Sequence, residues 1–126
     1  MTQPIVFISH SAIRDGRVEA FRDFIRRGAP ELEADKPGTV AFLAYLDEAG
    51  SEASIVHVFP NADAMSAHLE GVRERSEEAD AFIRTTAYEI YGSPDPPVVQ
   101  MMRVFAERSG VPLTVHPEHV GGYLHA

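Results

Sequence analysis

Apolar and polar positions along the chain alternate in patterns that divide it into short elements. Ile5-Val6-Phe7-Ile8, β-branched and aromatic, predicts a strand extending to about His10, and Arg14-Asp15-Gly16 breaks it. Val18, Phe21, Phe24 and Ile25 then recur at spacings of three and four, the signature of an amphipathic helix over residues 16–28, with Arg17, Arg22 and Arg26 largely on its solvated side. Gly28 and Pro30 are expected to end it, and the acidic stretch Glu31 to Asp35 leads to a turn at Lys36-Pro37-Gly38. Two apolar runs follow, Thr39 to Leu46 and Ala53 to Phe59, separated by the polar Asp47-to-Glu52 segment. They predict a β-hairpin with a loop longer than the tightest types.

Pro60-Asn61 stops that hairpin, and Asn61 is a suitable N-cap for a short helix whose buried stripe is Met65, Leu69 and Val72. Ser76 reads as the cap of a second helix, with Glu77 and Glu78 at its positive end and Phe82, Ile83, Ala87 and Ile90 on its buried side. Ser93-Pro94 marks a turn. Asp95 and Pro96 then suit the start of a third helix, which carries Val98, Met102 and Phe105 and stops at Gly110. The helical segment is thus expected over about residues 76–110. The tail from Leu113 to Leu124, broken by Pro117 and Gly121-Gly122, reads as a kinked or bulged last strand.

This order predicts one α+β domain over residues 1–126, a ferredoxin-like antiparallel sheet with helices on one face. The second strand adds a constraint. Val40, Phe42, Ala44 and Leu46 alternate with Ala41, Leu43 and Tyr45, so both of its faces are apolar, whereas a half-solvated sheet alternates apolar with polar. Two covers would satisfy the second face: the sheet of a second copy, giving a homodimer closed into a barrel, or the helix at about residues 96–109 folded across it.

Composition narrows the partners. The chain has 126 residues, 44% of them apolar, enough for one core, and its net charge of -8 repels phosphates, so nucleic acid is not an expected partner. There is no Cys, which removes disulfides, thiolate nucleophiles and Cys-ligated metal. The longest apolar run, Val40 to Leu46, falls far short of the roughly 20 residues a membrane-spanning helix needs. Met1-Thr2-Gln3-Pro4 carries neither a basic segment nor a long apolar stretch, so no signal peptide and no membrane are expected, and the domain is expected to be cytoplasmic.

Gly38-Thr39-Val40, and Ile55-Val56-His57-Val58-Phe59-Pro60-Asn61 running into Ala64-Met65-Ser66-Ala67-His68-Leu69, resemble the antibiotic biosynthesis monooxygenase domain. In that family a strand ending in Glu-x-Trp passes through a short acidic turn into a helix bearing Leu-x-x-His-Leu. His57 and Phe59 stand at the Glu and Trp positions, while Met65, His68 and Leu69 keep the helix signature. The likeness covers roughly residues 4–75. It implies a dimeric α+β barrel with a pocket between sheet and helices in each subunit. It also implies a monooxygenase that needs no cofactor and acts on a small aromatic or quinol-like substrate. Relatives that degrade haem use a Trp of the second helix with a His and an Asn. The chain contains no Trp, and His68 stands where that Trp would align, which argues against haem chemistry.

Oxygen chemistry without a cofactor rests on the substrate. A deprotonated dihydroxyaromatic can reduce oxygen by one electron, and the protein then supplies a base and groups that hold the anion. Among the six histidines, His57 shares a strand face with Ile55 and Phe59 and so points into an apolar layer, as a base, a substrate anchor or a buried histidine satisfied by a neighbour. His68 lies at the edge of the buried helix stripe, as a second catalytic candidate or a packing residue. His10, Tyr45 and Phe59 are candidate substrate-binding positions, with Tyr88 and Tyr91 as further phenolic donors. His116-Pro117-Glu118-His119, with His125 nearby, departs from the helical H-E-x-x-H spacing, and Pro117 disfavours a helix, so no metal site is expected. No G-x-S-x-G elbow or phosphate-binding glycine loop occurs. A non-catalytic dimer that binds a small apolar ligand, or serves only as an interface, fits the same residues.

Overall fold

The computed structural model describes residues 3–125. Its elements run β1 (Ile5–Ile13), α1 (Val18–Asp35), β2 (Ala41–Leu46), β3 (Glu52–Phe59), α2 (Ala62–His68), α3 (Val72–Ala79), β4 (Ile83–Tyr91), α4 (Pro96–Ser109) and β5 (Leu113–His116). They form an α+β fold with one five-stranded sheet in the order β2-β3-β1-β4-β5. Adjacent strands are antiparallel except β4 and β5, which are parallel. The first seven elements thus make the ferredoxin-like βαββαβ unit, with α2 and α3 together in the place of its second helix, and α4 with β5 extends its edge.

Three expectations need correction. First, residues 83–91 are a strand, so the expected helix from Ser76 does not form and Ser76 lies inside α3. Ile83 and Ile90, seven residues apart, mimic a helical stripe. In the strand both face inward because a bulge opposite His10 and Ser11 inserts one extra residue, Thr86, and resets the alternation. Second, α1 passes through Gly28 and Pro30 to Asp35. Pro30 is exposed, so the Arg26 carbonyl that loses its helix partner can face water, and Leu32 extends the inward row of Phe21, Ile25 and Gly28. Third, the last strand ends at His116, and Val120 and Tyr123 beyond it are exposed.

Other signals hold. Asn61 Oδ1 accepts from the Ala64 amide at 2.8 Å, and Pro96 opens α4, which ends on left-handed Gly110. In the hairpin loop Asp47 accepts from the amides of Ser51 and Glu52, which holds its carboxyl below the usual carboxylate range.

Helix α4 lies on the same sheet face as the core, with Met102 packed among Ile5, Phe7, Phe59 and Ile90. It therefore does not cross the second face. There Leu43 is 46% and Tyr45 57% exposed in the single chain. On the helix side the core falls into two clusters. One is built around Phe7, Phe59, Met65 and Ile90, the other around Phe21, Ala53 and Ile83. No helix among the described residues is long and apolar enough to cross a membrane.

Candidate functional site

Strand register sets three rows of side chains across the helix-facing side of the sheet. Phe42, His57, Phe7 and Ile90 form the first row; Ala44, Ile55, Ser9 and Tyr88 the second; Leu46, Ala53, Ser11 and Thr85 the third. The second and third rows carry small or short residues, Ser9, Ser11, Ala44, Ala53 and Thr85, where a filled core would carry Leu, Ile or Phe. A cleft of about 650 Å³ results between the two core clusters. Its walls include Phe7, Phe42, Ile55, Tyr88 and Phe105, with Phe24, Gly28 and Leu32 of α1 opposite the sheet. The volume lies within the range of small-molecule sites.

His57 and His68 share one end of the cleft. Both are nearly inaccessible, at 8% and 2% exposure, and their ring centroids stand 5.1 Å apart, edge to face. His57 stacks on Phe7 at 4.9 Å and meets Phe42 edge-on at 5.3 Å. Its Nδ1 donates to the Phe7 carbonyl oxygen at 3.1 Å. A carbonyl only accepts, so Nδ1 carries the hydrogen and Nε2 keeps a lone pair. Nδ1 of His68 pairs with Thr39 Oγ1 at 2.7 Å. Burial depresses His57 to about 4, against the raising effect of the Phe7 bond, and the Arg75 charge adds to the depression. Burial likewise lowers His68 to about 3, with His57, Arg75 and Lys36 contributing. Both imidazoles are therefore neutral at pH 7.

Arg75, on α3, brings a cation to the cleft wall. Its Nη1 donates to the Glu70 carbonyl at 2.9 Å and its Nη2 to that of His68 at 2.5 Å, so the carbonyls at the end of α2 fix the guanidinium. At the other end Ser11 is 3% exposed, and its Oγ is the buried side-chain polar atom without a partner among the described residues.

The five sequence candidates separate. His57 and His68 come together at the cleft. Phe59 is fully buried behind them, 5.2 Å from the His68 ring, as support rather than lining. His10 and Tyr45 lie on the opposite sheet face. There His10 Nε2 is 2.5 Å from Glu89 Oε1, His10 Nδ1 is 3.0 Å from Ser54 Oγ, and Tyr91 donates to Glu89 at 2.6 Å. Arg75, Thr39 and Ser11 escaped the sequence reading. Inward serines on an otherwise apolar strand were the available signal for Ser11; no local pattern marks an arginine that reaches across from a solvated helix.

No protein-family model matches the chain, and no curated protein matches its sequence. Solved structures do match its fold. MupZ from Pseudomonas fluorescens superposes with a TM-score of 0.73 at 16% identity, over 96% of this chain and 95% of that one. SnoaB from Streptomyces nogalater, described as a cofactor-independent oxygenase, matches with a TM-score of 0.59 at 16% identity, over 73% of this chain and 94% of its own. A protein from Nitrosomonas europaea provisionally described as an antibiotic biosynthesis monooxygenase gives 0.59 at 15% identity, over 76% and 95%. The match to MupZ takes in the α4–β5 extension as well as the core, and the chain has the fold of the antibiotic biosynthesis monooxygenase proteins.

Proposed function

We propose that the chain is a cofactor-independent monooxygenase whose cleft binds a small aromatic, quinol-like molecule. The observation that carries this reading is the Nε2 lone pair of His57 at a wall of stacked aromatic rings. In this reading His57 takes the phenolic proton. Burial keeps the imidazole unprotonated at pH 7, and the phenolate formed beside it offsets the desolvation that disfavours imidazolium. Arg75 lowers the energy of the anion, and His68, held by Thr39, orients it. Electron transfer from the bound anion to oxygen starts the oxidation. For a phenol going to a quinone, one oxygen atom enters as the new carbonyl and the other leaves as water with two hydrogens. The likeness to SnoaB supports the same class of chemistry.

A second copy packed on the open sheet face would cover Leu43 and Tyr45, and we include this homodimer in the proposal. Oxygen uptake with dihydroxynaphthalene, compared between the native chain and His57→Gln, tests the catalytic reading. A loss of about 100-fold or more is expected for removal of a general base. Equal uptake by the two proteins would refute it. One observation favours a second reading, a non-catalytic ligand-binding domain: both histidines are held well below the usual histidine range, which makes them weak bases. Saturable binding with no uptake would select that reading.

A further inference from the structure

We propose that the cleft takes an elongated, largely apolar ligand with a hydrogen-bonding oxygen at each end, and that the Ser11 hydroxyl recognises the end remote from His57. The inference rests on the cleft being a ligand site.

The two polar ends belong to one cleft but to different rows of the sheet. His57 lies opposite Phe7 on β3, and Ser11 is four residues further along β1. Four residues of strand span about 13 Å, and the bulge lies in β4 while the β1–β3 register runs unbroken from Ile5 to Ala12. Between the ends the sheet presents Ile55 and the ring of Tyr88 on either side of Ser9 in the second row. Ser11 is buried at 3% exposure, yet its Oγ finds no partner among the described residues. A buried hydroxyl left unpaired is destabilising, and native chains seldom keep one without use. An apolar residue would fill the position better if packing were its only role, as Ile5 and Phe7 do on the same strand face. Ser9 and Thr85, on the neighbouring inward positions, keep this end of the cleft narrow in side-chain bulk and rich in hydroxyls. A rigid molecule of two linked six-membered rings, with oxygens at its far ends, spans about 10 Å and reaches both ends through hydrogen bonds of about 2.8 Å.

The test is calorimetric titration of the whole 126-residue chain with two probes, para,para′-biphenol and para-phenylphenol, which differ only in the second hydroxyl. The native chain is expected to bind the biphenol about tenfold more tightly, the ratio for one satisfied buried hydroxyl. Ser11→Ala should bind both equally, with para-phenylphenol unchanged. Ser11→Thr, which restores a hydroxyl, should recover most of the preference. Ser54→Ala, on the opposite sheet face, should keep the native ratio. Equal binding of the two probes by the native chain, with para-phenylphenol bound, overturns the inference and leaves the cleft a ligand site. An unchanged preference in a folded Ser11→Ala overturns it as well. Failure of both probes to bind overturns both this inference and the ligand site beneath it.

Discussion

The carbonyl oxygen of Phe7 accepts a hydrogen bond from Nδ1 of His57 at 3.1 Å, across the β1–β3 pair. This contact fixes the imidazole tautomer and ties the first row of the sheet to the cleft chemistry. It also accompanies a burial strong enough to hold His57 near 4 and His68 near 3. In the unfolded chain both return to about 6.5. Between roughly pH 6.5 and 4 the unfolded state therefore binds more protons than the folded one, and stability falls as pH falls. Each histidine contributes a slope of up to about 1.4 kcal/mol per pH unit in that window. Urea unfolding measured across it should show a shallower slope in His57→Gln than in the native chain. Parallel curves would contradict the burial argument.

Thr39 is the partner of His68 at 2.7 Å, reaching it from the turn before β2. Thr39→Val keeps the shape and removes the hydroxyl, leaving a buried ring nitrogen unpaired. A loss of about 1–3 kcal/mol is expected by denaturant unfolding at pH 7. Thr39→Ser should keep most of the native stability, because the hydroxyl is retained.

Gly92 follows β4 with φ of +109°, and a Cβ there would lie 2.9 Å from the Pro4 carbonyl oxygen and 3.0 Å from Ile5 Cγ1. Both the backbone conformation and the space exclude a side chain. Gly92→Ala should lower stability by more than about 1 kcal/mol. Gly16→Ala carries strain from its φ of +73° but has no neighbour within 4 Å, so it should cost less. Thermal unfolding of the two variants side by side gives the ranking.

Tyr45 and Leu43 share the uncovered sheet face, and Tyr45 is more than half exposed in the single chain. If that face meets a second copy, Tyr45→Lys or Leu43→Asp should shift sedimentation from dimer to monomer, because a charge would be buried without a partner. The fold of each chain should survive, since neither residue belongs to either core cluster. A native chain that sediments as a monomer would remove the dimer from the account.

Much of this arrangement is legible in the residues. Strict alternation along β3 puts His57 inward with Ile55 and Phe59, and the spacing from Met65 to Leu69 turns His68 to the same interior. Asn61 and Pro96 mark helix starts by local chemistry, which does not depend on the rest of the fold. The failures have a common cause. Residues 83–91 carry apolar positions seven apart, and only pairing with β1 supplies the bulge that makes this a strand. His10 and Tyr45 sit close to the cleft in sequence terms, but the parity of each strand sends them to the far face. Arg75 depends on α3 folding back over the end of α2, a contact set by tertiary packing.

The most direct test of the central claim is nitrogen NMR of the His57 ring, recorded with and without bound dihydroxynaphthalene. The Nδ1–H tautomer is expected in the free protein, neutral down to about pH 4, with Nε2 gaining a proton or a strong hydrogen bond when the ligand enters. A free protein in the Nε2–H tautomer, or an Nε2 signal indifferent to saturating ligand, would contradict it.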